Sequence, residues 1–180
     1  MGAKLVFADE SGFSLVPQVK RTWSRRGHTP CVRVTLKRER LSAISAVVVS
    51  PKRRRLDLHA HVHTEPINAQ AAVRFMQDVL QHERGRLFWF WDNIPFHTDP
   101  TVQAFIAQHP RLRVFHLPAY APELNPDEFI WTQVSEQLAS TLIPNLSALL
   151  DALCHAFCRI RASQALLRAC IDASDLPWHW

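Results

Sequence analysis

The chain has no long hydrophobic run: its apolar stretches, such as Leu87 to Trp91 and Ala46 to Val49, fall well short of the ~20 residues a membrane-crossing helix needs. Nor does the amino terminus show a charged segment followed by an apolar one, so no secretory leader is predicted. A soluble intracellular protein without membrane contact is the expectation. Cysteine is scarce as well. Cys31, Cys154, Cys158 and Cys170 are the only four, and three of them fall in one predicted helical region, which suits reduced thiols in a core and excludes a disulfide framework. The run Cys154-His155-Ala156-Phe157-Cys158 lacks the second ligand pair of a structural zinc site. No serine or cysteine stands in a nucleophile constellation, so covalent catalysis has no obvious carrier. With neither internal repeats nor a low-complexity linker, 180 residues at 47% hydrophobic content predict one domain with an ample core.

Charge is what the chain does have. Twenty-one Lys and Arg stand against 16 acids for a net charge of +5, and the bases cluster in the amino-terminal third. Lys20 and Arg21 lie near Arg25 and Arg26, Lys37 and Arg38 near Arg40, and Lys52 precedes Arg53, Arg54 and Arg55. Each cluster alone is as well explained by a solvated hairpin turn. Together they favour contact with a polyanion, DNA above all, with affinity that falls as salt rises.

Three acids point to the chemistry. Asp9 ends the run that begins at Lys4, and Asp92 ends the run that begins at Leu87. Short, nearly all-apolar runs of this kind read as strands buried on both faces. If the two strands are parallel neighbours, both carboxylates emerge at the carboxyl edge of the sheet, where open α/β folds place their chemistry. Carboxylates that close repel unless a hard divalent cation lies between them, and magnesium or manganese suits that role. Between Asp92 and Glu128 lie 35 residues (93 to 127), enough for a helix, a strand and a turn back to the same edge. Thr98, Asp99 and Pro100 read as a helix start with Val102, Phe105 and Ile106 as its apolar face, and His109-Pro110 as its stop. Residues Arg113 to Leu117 read as the next strand, and Asn125-Pro126 opens a helix as N-cap and first residue, with Glu128 in its first turn.

Upstream, Cys31 to Leu36, Leu41 to Val49 and Leu56 to Val62 read as strands joined by basic turns. Asn68 reads as the cap of a helix with Ala71, Ala72, Phe75, Met76, Val79 and Leu80 at helical spacing. Further helices are expected from Pro126 and from Asn145 or Leu146 onward. Each acid also has a plain structural reading: Asp92-Asn93 as an Asx-turn, Glu128 as the third residue of a capping box. Glu10, Glu123 and Asp127 compete for the third acidic position, with Glu123 the first alternative. His97, five residues beyond Asp92, reads equally as a local helix-entry histidine or one aimed back at the acids. His59, His61 and His63 alternate on one strand face, read as facing solvent or DNA rather than zinc. Trp131 is expected in the core, and Trp23 as an anchor of the long loop after the first strand.

Four stretches, Phe7-Ala8-Asp9-Glu10-Ser11-Gly12-Phe13, Thr22 to Pro30, Trp91-Asp92-Asn93-Ile94-Pro95-Phe96-His97, and Leu117 to Glu128 with Trp131, resemble in this order the DDE transposases of mariner type found in bacterial insertion sequences. The resemblance implies an α/β fold of RNase H-like type, a mixed five-stranded sheet flanked by helices. It implies a catalytic, metal-binding triad of Asp9, Asp92 and Glu128 with two Mg2+ or Mn2+ ions, which cuts and rejoins DNA phosphodiesters. Residues 11 to 33 would form a loop touching DNA or a partner subunit, and His97 would touch DNA or order a carboxylate. The protein would be cytoplasmic and nucleoid-associated in a bacterium. Relatives of this type carry helix-turn-helix modules ahead of the catalytic domain, whereas Met1 to Ala3 alone precede the first strand here. The expectation is therefore a single catalytic domain over 1–180 without such modules, acting as a homodimer or with a helix-turn-helix polypeptide. Two other classes fit less well: an inactive DNA-binding regulatory remnant, against which the retained acids argue, and a cellular RNase H-like nuclease, against which the Trp- and Gly-containing loop argues.

Overall fold

Alternating and all-apolar runs assemble into one five-stranded sheet in the computed structural model, which describes residues 2–16, 23–28, 39–139 and 143–178. The strands are β1 (Lys4–Ser14), β2 (Arg40–Val49), β3 (Leu56–His63), β4 (Leu87–Trp91) and β5 (Leu112–His116), in the order β3-β2-β1-β4-β5. β1, β2 and β3 pair antiparallel, while β4 is parallel to both β1 and β5. The mixed sheet expected from the sequence is the one observed.

Helices cover both faces. α1 (Ala69–His82) and α2 (Pro100–Gln108) pack on one, over Val6, Ala8, Ile44, Ala46 and Trp89. α3 (Pro126–Leu138), α4 (Leu146–Arg161) and α5 (Gln164–Asp172) pack on the other, over Phe7, Phe13, Val47 and Leu58. Trp89 and Trp91 are fully buried, and burying side chains of this size stabilises by about 1.5–3 kcal/mol each. The helix starts follow the capping residues in the sequence. Asn68, Asp99, Asn125 and Asn145 each accept a hydrogen bond from a backbone N–H of the first turn, satisfying a donor that has no intrahelical partner. Among the described residues no helix is long and apolar enough to cross a membrane.

Four expectations need correction. β1 does not stop at Asp9 but continues to Ser14. Residues 11 to 14 are therefore strand rather than loop, because Phe13 pairs with Leu41 and turns inward beside Trp131. The carboxy-terminal helical region is broken: α4 ends and Ser163 caps a separate α5. Cys154 and Cys158 are exposed on α4, and only Cys170 lies in the core, where burial first and then Asp127 push its thiol up to about 12. His59, His61 and His63 face α1 rather than solvent, since register puts Leu58, Ala60 and Val62 on the opposite side of β3. The strand expected over Cys31 to Leu36, and Lys20 and Arg21, lie outside the described residues.

Candidate active site

β1 and β4 pair in register from Lys4 with Leu87 to Phe7 with Phe90. Asp9 and Asp92 each lie two residues past that last pair, so the parallel register carries both to the carboxyl edge side by side. Phe7 and Phe90 stack with centroids 5.0 Å apart on the face covered by α3, and period-two alternation points Asp9 toward the same side. There β4 has ended and β1 has not. A cleft of ≈ 460 Å³ opens at this step, lined by Asp9, Asp92 and Glu128 and walled by the loops after β4 and β5.

Glu128 reaches the cleft because Asn125 fastens the start of α3 to the sheet. Its Nδ2 donates to the Ala8 carbonyl at 3.1 Å, while its Oδ1 accepts from the Asp127 N–H at 3.1 Å. Glu128 lines the cleft together with Asp9 and Asp92. Asp127, fully buried, accepts from Ser45 Oγ at 2.6 Å and locks α3 to β2; burial first, and then the charges of Asp9, Glu10 and Glu128, hold its carboxyl well above the usual range. Glu123 sits in a 3-10 turn (Pro122–Leu124) with its side chain outside the cleft lining. Opposite, Tyr120 is fully exposed at the cleft lip with φ 59°, a left-handed backbone that costs energy for a residue with a Cβ.

Electrostatics sets these acids apart from surface carboxylates. Burial, then repulsion from Glu128 and Glu10, pushes Asp9 up to about 8, against a lowering hydrogen bond from Trp131. Glu128 is raised by burial and by the charge of Asp92. Asp92 behaves oppositely. Burial would raise it, but hydrogen bonds from His97 and the Ile94 N–H hold it below the usual carboxylate range.

His97 was expected to contact DNA or order a carboxylate; its position supports only the second role. The ring is fully buried, stacked on Trp91 at 3.7 Å, with Nδ1 3.1 Å from Asp92 Oδ1 and Nε2 3.2 Å from Glu10 Oε1. Burial lowers its pKa, but these two acids outweigh it and raise it to about 9. With Nδ1 against Asp92 and Nε2 against Glu10, the ring bridges the two acids. Trp131, expected in the core, is buried there and also donates from Nε1 to Asp9 Oδ2 at 2.9 Å.

Among the described residues, no lysine, arginine or histidine lines the cleft. Three carboxylates with oxygen donors only, Asp9 and Glu128 raised in pKa and Asp92 paired with His97, fit a hard divalent ion. The predicted basic residues are placed elsewhere. Arg53, Arg54 and Arg55 form the turn from β2 to β3, beyond the Val49–Leu5 pair and so at the opposite edge of the sheet from Asp9. Arg53 lies 5.6 Å over Trp178, and Arg55 is 3.7 Å from Asp57. Arg25 and Arg26 are exposed in a short turn closed by the His28 N–H to Arg25 carbonyl bond of 2.9 Å.

Residues 4–150 match the family model of the DDE superfamily endonucleases. Solved structures with the same fold include the Mos1 mariner paired end complex with Mn, at TM-score 0.67 and 18% identity, covering 94% of this chain and 52% of that one. The corresponding complex with Mg matches at TM-score 0.65 and 18% identity, over 94% and 52%. The catalytic domain of Mos1 mariner transposase alone matches at TM-score 0.54 and 14% identity, over 96% and 83%. The sheet and its helices are thus RNase H-like, and the chain spans about half the length of the Mos1 chains in the two complexes. No curated protein sequence matches the chain.

Proposed function

The chain belongs to the DDE superfamily endonucleases, and from that premise we propose that it is the catalytic domain of a transposase, cutting and rejoining DNA phosphodiesters at Asp9, Asp92 and Glu128. The observation that carries this reading is the placement of Asp9 and Asp92 at matched positions past the Phe7–Phe90 pair, with Glu128 lining the same cleft, where no described basic side chain intrudes.

Asp9 and Asp92 would hold one Mg2+ or Mn2+ ion, and Glu128 would help hold a second. When bound, such ions supply Lewis-acid stabilisation of the charge that develops on a phosphate. The chain's own groups fix the ligands. The Trp131 N–H sets the rotation of the Asp9 carboxylate, the His97 ring holds Asp92 against Glu10, and Asn125 keeps Glu128 over β1. Side chains locked in this way hold a site in working geometry without reorganisation at the moment of reaction.

DNA is the proposed substrate, held through backbone phosphates by Lys20, Arg21, Arg25 and Arg26, with Arg53, Arg54 and Arg55 as a separate contact at the far edge of the sheet. The relatives whose structures match are named as paired end and strand transfer complexes, which supports action on transposon ends. Sequence-specific recognition of ends is assigned to helix-turn-helix modules outside residues 1–180, with assembly as a homodimer or with the polypeptide that carries them. A bacterial insertion sequence is the proposed source, and the nucleoid the place of action. The test is nicking of supercoiled plasmid by the purified chain. Cleavage with Mg2+ or Mn2+ that EDTA abolishes supports the reading, and no cleavage with either ion overturns it.

A further inference from the structure

The histidines of β3 lie on the face opposite the acids. Register pairs His59 with Ala46 and Ala46 with Ala8, whereas Asp9 pairs with Ser45 and Ser45 with Ala60. Asp9 therefore faces α3 while His59 and His61 face α1. Helix α1 returns Asp78 and His82 to them at a spacing of four residues, which places both on one helix face. One ligand atom each from His59, Asp78 and His82 lie within 4.8 Å of one another.

We propose that His59, Asp78 and His82 form a second cation site, for a borderline divalent ion of the zinc class, that fastens the last turn of α1 to β3. Two imidazoles and one carboxylate are the donor types that zinc takes, and imidazole disfavours the hard magnesium ion. Metal–ligand bonds of about 2.0–2.2 Å place tetrahedral ligand atoms about 3.4 Å apart. Part of this spacing exists already: His82 Nδ1 is 3.4 Å from Asp78 Oδ1, though it also lies 2.9 Å from the Asp78 backbone carbonyl, a contact it gives up on binding an ion. His82 and Asp78 are 59% and 34% exposed, so both can rotate inward and an ion has a path from solvent. His59 is buried and held by Glu83, whose Oε1 lies 3.0 Å from His59 Nε2 and whose other oxygen pairs with Lys4. His61 Nε2, 3.2 Å from Asp78 Oδ2, steadies the carboxylate from the other side. Supports of this kind orient metal-bound imidazoles and carboxylates.

The plainer account of the same residues is a set of hydrogen-bonded pairs that merely pack α1 on the sheet. Full-length chain carrying Asp9→Asn, Asp92→Asn and Glu128→Gln separates the two, because the cleft then cannot take up the ion. Calorimetric titration with Zn2+ should show one ion per chain, Co2+ should give the visible absorption of a tetrahedral centre, and Mg2+ should not bind. Adding His82→Ala or Asp78→Asn, both at accessible positions, should weaken Zn2+ binding by about tenfold or more and remove the zinc-dependent rise in melting temperature. Circular dichroism without metal checks that these variants fold. Absence of micromolar Zn2+ binding, or binding that neither substitution weakens, overturns the site.

Discussion

Trp131 Nε1 donates a hydrogen bond to Asp9 Oδ2 at 2.9 Å, joining groups 122 residues apart in the chain. Glu128 and Trp131 are three residues apart on α3, hence on one face, so the same helix turn that brings an acid to Asp9 also brings its donor. Trp131→Phe keeps most of the ring in the core and removes only the N–H. Metal-dependent cleavage should fall by about 10- to 100-fold with a rise in the Mg2+ concentration for half-maximal rate. An unchanged Mg2+ requirement would return Trp131 to packing alone.

The Asp9 carboxyl, pushed from 3.8 up to about 8 by burial and then by Glu128 and Glu10, takes up a proton on folding between those values. Stability without metal therefore falls as pH rises through that window. Asp9→Asn removes the ionisation, so in EDTA at pH 8.5 the variant should be more stable than the parent by on the order of 1–3 kcal/mol. The two should converge near pH 4, and saturating Mg2+ should restore the advantage to the parent. Thermal melts over pH 4 to 9 check this; a variant less stable than the parent at pH 8.5 in EDTA would refute it.

Glu83 is held down to about 2, from 4.5, chiefly by its hydrogen bond with His59, with Lys4 adding to the effect against burial. For a depressed carboxylate the stabilisation is present above the ordinary value and is lost as pH falls from 4.5 toward 2. Glu83→Gln should cost on the order of 1 kcal/mol at neutral pH, because a buried ionic hydrogen bond is removed. Chemical denaturation should show this difference shrink steadily as pH falls from 4.5 toward 2. A deficit that stays constant with pH would mean that packing, not charge, holds Glu83.

The turn bearing Arg54 and Arg55 sits at the far edge of the sheet from the cleft. Arg54→Ala with Arg55→Ala should lower the log–log salt slope of DNA binding by up to about 0.9 for each phosphate that is no longer neutralised and leave the cleavage rate at saturating DNA unchanged. Binding measured across 50–200 mM salt decides it, and an unchanged slope makes this a solvated turn.

Much of the fold and the site was readable in the residues. The apolar runs before Asp9 and Asp92 located both strands, and Asn125-Pro126 located the helix that delivers Glu128. What escaped depended on pairing. β1 looked finished at Asp9 because Glu10, Ser11 and Gly12 interrupt the apolar run, yet Phe13 and Leu15 continue the alternation and are buried. The β3 histidines read as solvent-facing because their partners, Asp78 in α1 and Glu83 just past its end, lie 17 and 24 residues further on. His97 showed in its spacing from Asp92, but its burial between Asp92 and Glu10 required the sheet to form first.

Asp9, Asp92 and Glu128, and no other acids of the cleft region, are the proposed holders of the ions for strand cleavage. The most direct test is Mg2+-dependent plasmid nicking with the parent chain, Asp9→Asn, Asp92→Asn, Glu128→Gln and Glu123→Gln compared side by side. Each triad substitution should lower cleavage by at least about 1,000-fold, in line with losses of several kcal/mol of transition-state stabilisation, while DNA binding persists and Glu123→Gln cleaves like the parent. Cleavage retained in Glu128→Gln and abolished in Glu123→Gln would contradict the assignment.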